Sequence, residues 1–243
     1  LVIHEQNAIP GLTNRLLAHF ARAVAEAFPG SFGASVGAVT IGNPVRPQVV
    51  AAGAAREKPR NPRRLLVFGG SQGAQVLNRV VPEAIACMAS ANRPLVMHQC
   101  GRGREEETKA RYREFGLEAD VSEFIDDMAA AFRWADLAVT RSGALTVAEL
   151  AAAALPAVLV PFPAAVDDHQ TANAQYLVRR GAARLLPEAN LTADRLSKLI
   201  TELSGNEGVT LSQMGAEAHA CAQADTAEAL ADLCLAQIHR RAA

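Results

Sequence analysis

Six short apolar runs, each followed by a turn and most by a helical stretch, decide what this chain can fold into. They fall at Arg64–Phe68, Leu95–Gln99, Ala119–Phe124, Leu137–Thr140, Ala157–Val160 and Ala182–Leu186. Ala74–Ser90, Arg104–Phe115 and Met128–Trp134 lie between them with helical character, and Asp127 is placed to cap the last of these. Strands alternating with helices of this length imply an α/β domain: a parallel sheet with helices on both faces. Ligands bind such sheets in the crevice outside the carboxyl ends of the strands. The polar segments Arg141–Thr146 and Asp167–Asn173 both follow strands, so both are expected on that rim.

The rest of the chain is read around this alternation. Leu1–Ile3, Ala21–Phe28 and Val36–Ile41 read as strands, and Leu12–Phe20 as a helix. Pro44 and Pro47 argue for an extended linker. Ala51–Pro62 reads as a loop or short helix between domains. Leu191–Leu203 and Thr226–His239 close the chain as helices, the second with a start signal at Asp225-Thr226. Half of the 243 residues are hydrophobic but only 5% are aromatic, so the core must be built from Ala, Leu and Val. A net charge of −1 argues against a nucleic-acid partner. Cys87, Cys100, Cys221 and Cys234 form no CxxC and are expected as buried free thiols. No apolar run is long enough to cross a bilayer, and Leu1–Glu5 lacks a secretory signal. The opening on Leu, inside a strand, suggests a piece of a longer protein.

Two strand-to-helix junctions are candidate anion sites. Gly69-Gly70-Ser71-Gln72-Gly73 lets backbone N–H groups approach a phosphate at a helix start, with the Ser71 hydroxyl beside them. It is neither a P-loop nor a GxGxxG fingerprint, which leaves a dinucleotide-dependent oxidoreductase unsupported; a plain βα turn is the alternative. Ser142–Thr146 is a junction of the same kind, and two on one rim suit a diphosphate. Glu149 is placed to accept ribose hydroxyls, or is simply a helix-dipole acid. Asp167, Asp168 and His169 match no familiar metal set, so a helix start capped by Asp168 is expected. Gln170 and Asn173 share a helix face, where amides suit sugar hydroxyls or form a solvated helix start. His4 is a base candidate, although a lone His at a strand end is more often structural.

HEQNAIPGLTN, GNPVR, VFGGSQGAQVLN, EFIDDMAAAFRWADLAVTRSGALTVAEL and DDHQTANA together resemble the MurG-type glycosyltransferases. These are the UDP-N-acetylglucosamine:undecaprenyl-diphospho-muramoylpentapeptide N-acetylglucosaminyltransferases of bacterial peptidoglycan and cell-wall synthesis. The resemblance implies a GT-B architecture, two Rossmann-like domains facing across a cleft, here N-terminally truncated. Residues 1–43 would end the acceptor and membrane domain, 44–220 would form the UDP-sugar domain, and 221–243 a helix packing back on the first. It implies that Asn7 meets the transferred sugar, Arg46 the nucleotide and phosphates, and Ser71 the diphosphate. Ile125 would read uracil through its backbone with Phe124 against the ring. Ala144, Leu145, Thr146, Val147, Ala148 and Glu149 would cover phosphate and ribose, with Gln170 and Asn173 on the sugar.

The implied reaction is an inverting transfer to the 4-hydroxyl of a lipid-linked muramoyl-pentapeptide, without metal or other cofactor. It would take place at the cytoplasmic face of the bacterial plasma membrane, on a peripheral enzyme. The usual base, the acceptor loops and the membrane patch would lie outside this sequence. Two rivals are a UDP-N-acetylglucosamine 2-epimerase and a donor-binding fragment without activity.

Overall fold

The computed structural model describes residues 1–70 and 74–239. Strands β1 (Val2–Glu5), β2 (Ala23–Glu26) and β3 (Val39–Thr40) form a three-stranded parallel sheet in that order. Helix α1 (Leu12–Leu17) lies between the first two strands, and α2 (Pro47–Ala54) follows the third. The remaining strands are β4 (Arg64–Phe68), β5 (Leu95–Gln99), β6 (Asp120–Ser122), β7 (Leu137–Thr140), β8 (Ala157–Leu159) and β9 (Ala183–Leu185). They form one six-stranded sheet, ordered β6-β5-β4-β7-β8-β9 and parallel throughout. The strand order reverses between β4 and β7, the switch point of a Rossmann sheet.

Side chains alternate across each strand, and both faces are buried. Leu65 and Val67 join Val139, Val158 and Val160 against α3 (Gln75–Ala86), α4 (Glu105–Glu114) and α8 (Ala193–Ser204). Leu66 and Phe68 join Ala138, Ala157 and Leu159 on the other face. That face is covered by α2, α5 (Met128–Trp134), α6 (Ala144–Ala152), α7 (His169–Val178) and α9 (Val209–Ala220). Helix α10 (Thr226–His239) returns to pack on β2. Asp127 caps α5 as expected, accepting from the Ala130 N–H at 2.9 Å.

Three features differ from the sequence reading. Pro47 does not extend the linker; it opens α2 at a position where proline's missing N–H costs nothing. Helix α9 was not anticipated. Its buried positions, Leu211, Met214, Gly215 and Ala218, follow helical spacing, but two of the four are too small to mark an apolar face. Of the cysteines, only Cys100 and Cys221 are buried, while Cys87 and Cys234 are exposed.

Helix α2 fixes the linker to the large sheet. It crosses α6 at Gly53, where a methyl group would stand 1.9 Å from the Ala152 carbonyl oxygen. One turn on, the Arg56 guanidinium donates to the carbonyls of Ala153 (2.8 Å), Ala135 (2.9 Å) and Phe132 (2.8 Å). A single cation thus satisfies the carboxyl ends of α5 and α6, where the helix dipoles favour positive charge. Burial pulls the Arg56 pKa down to about 10.

Candidate functional site

Phe68 pairs with Thr140, so the turns that follow β4 and β7 leave the sheet side by side at the switch point. Between them opens a cleft of about 760 Å³ whose lining includes Gly69, Gly70, Asn78, Gly143, Thr146 and Gln170. Ser71 lies outside the described residues.

The start of α6 leaves backbone donors open. Gly143 precedes the helix in extended backbone and supplies no capping side chain. The first intrahelical bond runs from the Val147 N–H to the Gly143 carbonyl at 2.9 Å. Helix geometry therefore leaves the N–H groups of Ala144, Leu145 and Thr146 for a ligand. Val147 does not belong with them: its N–H is taken and its side chain is fully buried. Ala148 is half-buried on the same helix.

Glu149 stands two turns into α6 and is 20% exposed, and its Oε1 accepts from Arg46 Nη2 at 3.0 Å. Arg46 immediately precedes α2, so this pair ties the linker to α6; neither residue is in the lining of the cleft. Phe124 and Ile125 occupy the turn after β6 and are not in the lining of the cleft; Ile125 lines a separate hollow with Met97 and Trp134. Phe124 is exposed with the Arg102 guanidinium 6.0 Å over its ring, and Ile125 packs half-buried on the core.

The segment after β8 closes the other end. Gln170 Oε1 accepts from the Phe162 N–H at 3.0 Å. The Gln170 amide NH₂ has no partner among the described residues. Arg141 grips the same segment, donating to the Val160 and Pro161 carbonyls, pairing with Glu188 and lying over the Phe162 ring. Asp168 does not cap α7 through a backbone N–H. Its backbone is left-handed, at φ 52°, and its carboxylate instead accepts from the Thr171 hydroxyl at 2.7 Å. Asp167 lies 3.8 Å from Arg15 on α1. Among the described residues, no three His, Cys, Asp or Glu side chains gather as metal ligands.

Asn173 and Gln170 do not both face the cleft. Asn173 is 0% exposed and joins the two sheets. Its Oδ1 accepts from the Ala8 N–H at 2.8 Å, and its Nδ2 donates to Asn7 Oδ1 at 3.2 Å and to the Ser142 carbonyl at 3.3 Å. Asn7 is further held by Glu5. That buried carboxylate accepts from the Asn7 N–H and amide, the Gly11 N–H and the Asn14 amide. Glu5 was missed as an organiser of this loop, although an acid at a strand end before a Pro-Gly turn is the signal that marks one. His4 Nε2 donates to the Gly42 carbonyl at 2.9 Å, a structural tie between β1 and the linker.

Behind the cleft is a closed polar chain. Asn78 Nδ2 donates to the Cys100 carbonyl at 3.0 Å, and Asn78 Oδ1 faces His98 Nε2 at 3.0 Å. The Tyr112 hydroxyl meets His98 Nδ1 at 2.9 Å. The chain closes with Tyr112 donating to Nδ1 and a proton on Nε2, a neutral imidazole. Burial agrees: it holds His98 down to about 3 and pushes the Tyr112 phenol up.

Residues 64–231 match the model of the glycosyltransferase family 28 C-terminal domain. This chain belongs to glycosyltransferase family 28. It is 53% identical, over 97% of its length, to the UDP-N-acetylglucosamine–N-acetylmuramyl-(pentapeptide) pyrophosphoryl-undecaprenol N-acetylglucosamine transferase of Chromohalobacter salexigens, of which it spans 65%. It superimposes on the crystal structure of Acinetobacter baumannii MurG with a TM-score of 0.81 at 42% identity, covering 96% of this chain and 66% of that one. The calicheamicin glycosyltransferase CalG4 shares the fold, with a TM-score of 0.59 at 17% identity over 96% of this chain and 61% of that one. The family 28 chain thus has the GT-B fold expected of it, with the six-stranded Rossmann-like sheet and a smaller parallel sheet before it.

Proposed function

We propose that this chain is the donor-binding part of an inverting N-acetylglucosaminyltransferase. The donor is UDP-N-acetylglucosamine, and the acceptor is an undecaprenyl-linked muramoyl-pentapeptide of peptidoglycan synthesis. One observation carries the reading: the open start of α6 at the switch point, with Glu149 further along that helix and paired to Arg46 of the linker, in a chain 53% identical to a transferase named for that reaction. Residues 44–220 form the donor half, while residues 1–43 and 221–243 belong with the acceptor half.

Each part of the donor has a place. Uracil lies in the turn of Phe124 and Ile125, and the ribose hydroxyls meet Glu149. The diphosphate faces the Ala144–Thr146 N–H groups, with Arg46 beside it, and Ser71, which lies outside the described residues, is the further residue assigned to it. Gln170 donates its amide to the sugar and Asn7 approaches from the other sheet. The acceptor 4-hydroxyl attacks the sugar's C1, the bond from C1 to the diphosphate oxygen breaks, UDP leaves, and the anomeric centre inverts. The hydroxyl proton passes to a general base. These residues contribute positioning and helix N-termini directed at the charge that grows on the leaving diphosphate. No helix among the described residues is long and apolar enough to cross a membrane. The lipid-linked acceptor places the reaction at the cytoplasmic membrane face.

The test is product analysis with the whole protein that contains this chain, given labelled UDP-N-acetylglucosamine and the lipid-linked acceptor. A β-linked disaccharide on the lipid, with release of UDP, is the expected result. Conversion of the donor to its 2-epimer would overturn it in favour of an epimerase. Donor binding with neither product would leave a binding module.

A further inference from the structure

We propose that Asn173 is a positioning residue that sets the sugar end of the donor site by holding Asn7. This deepens the donor reading given above and rests on it. Asn173 sits on α7, three residues beyond Gln170, yet it is wholly buried and touches both halves of the site. It takes the Ala8 N–H and gives one amide hydrogen to Asn7 and one to the Ser142 carbonyl. Those three bonds use both hydrogens of its NH₂ and one lone pair of its carbonyl. No other side chain among the described residues bonds both to the loop after β1 and to the turn after β7.

The arrangement is directional. Ser142 belongs to the turn that opens α6, which is rigid and anchored in the large sheet. Asn7 belongs to a short loop whose backbone is held from its own side by Glu5 and by the Ser31 hydroxyl at 3.1 Å, while its side-chain amide has there only the 3.3 Å bond to Glu5. With Asn173 in place, Asn7 is fixed relative to the phosphate-binding helix start rather than relative to its own sheet only. A donor held by its diphosphate then meets Asn7 at a set distance, and a shift of an ångström there is enough to lose the contact.

Asn173→Asp is the sharpest probe. It keeps the oxygen that accepts from Ala8 and removes both donated hydrogen bonds. Uracil, ribose and phosphate contacts lie elsewhere, so titration of the folded chain should show UDP binding within about threefold of wild type. The ratio of the UDP-N-acetylglucosamine Kd to the UDP Kd should rise about tenfold. A residue that only stabilises the fold would lower the melting temperature and leave that ratio unchanged, which would overturn the proposal. A parallel loss of both ligands would overturn it too. Asn173→Ala, which buries no charge, carries the same test if the Asp variant lacks the native circular dichroism spectrum.

A second measurement asks whether Asn173 works through Asn7. In the double variant Asn7→Ala, Asn173→Ala the ratio should equal that of Asn7→Ala alone. Additive effects would contradict action through Asn7. If the wild-type chain binds neither UDP nor UDP-N-acetylglucosamine, the donor reading itself fails and this proposal falls with it. If it binds both and the ratio does not move, only the role of Asn173 fails.

Discussion

Arg46 donates to Glu149 across 3.0 Å, and the two residues belong to different parts of the chain: one ends the linker, the other lies on α6 beside the six-stranded sheet. The bond occupies only one carboxylate oxygen, Oε1. Arg46 is 55% exposed, so the pair itself adds little to stability; its value is in placing the carboxylate. Glu149→Ala is expected to weaken UDP-N-acetylglucosamine binding by about 30- to 100-fold, the equivalent of one or two hydrogen bonds to a charged group. Glu149→Gln should weaken it less. Calorimetric titration measures both, and an unchanged affinity in Glu149→Ala would remove the ribose assignment.

Arg56 is a stability residue rather than a ligand contact. Removing it strands the carbonyls of Phe132, Ala135 and Ala153. Arg56→Ala should cost about 2–4 kcal/mol in urea unfolding, since bonds from a charged donor are worth more than neutral ones. Arg56→Lys cannot reach three acceptors at once and should recover only part of this.

Gly53→Ala tests the crossing of α2 and α6. Helix propensity alone would favour alanine. The Ala152 carbonyl oxygen blocks the added methyl at 1.9 Å, so the backbones must part. A loss of about 1–3 kcal/mol is expected. A gain in stability would mean that α2 is not seated on α6 in solution.

His98 should make the fold acid-sensitive. Its pKa drops from an ordinary value of 6.5 to about 3 in the folded chain. Between those values the unfolded chain binds the extra proton and the folded chain does not. The stability due to neutral His98 is therefore complete above pH 6.5 and declines as the pH falls toward 3. Melting temperatures measured across that range should fall more steeply in wild type than in His98→Asn. Equal slopes would place the acid sensitivity elsewhere.

The large sheet was legible because its signals are local. The apolar runs at Arg64–Phe68, Leu95–Gln99 and Leu137–Thr140 coincide with β4, β5 and β7, since strands covered on both faces need uninterrupted Val, Leu and Ala. Asp127 and Thr226 were legible as helix starts for the same reason. What stayed hidden depends on partners distant in sequence. Asn173 reads as a sugar-facing amide beside Gln170, and only the packing of the first sheet, 166 residues away at Asn7, turns it inward. Val147 sits inside the segment read as covering phosphate and ribose, but the helix register decides which N–H groups remain open. Pro47 was misread because the same residue that breaks a helix interior is well suited to its first turn.

On the proposed function, the α6 start and Glu149 hold a UDP-sugar. A crystal structure of the chain with UDP-N-acetylglucosamine tests it most directly. The expected result places the ribose hydroxyls about 2.6–3.0 Å from the Glu149 carboxylate, with a phosphate oxygen on the N–H groups of Ala144 to Thr146. A nucleotide bound away from this rim, with Glu149 facing Arg46 alone, would overturn the claim.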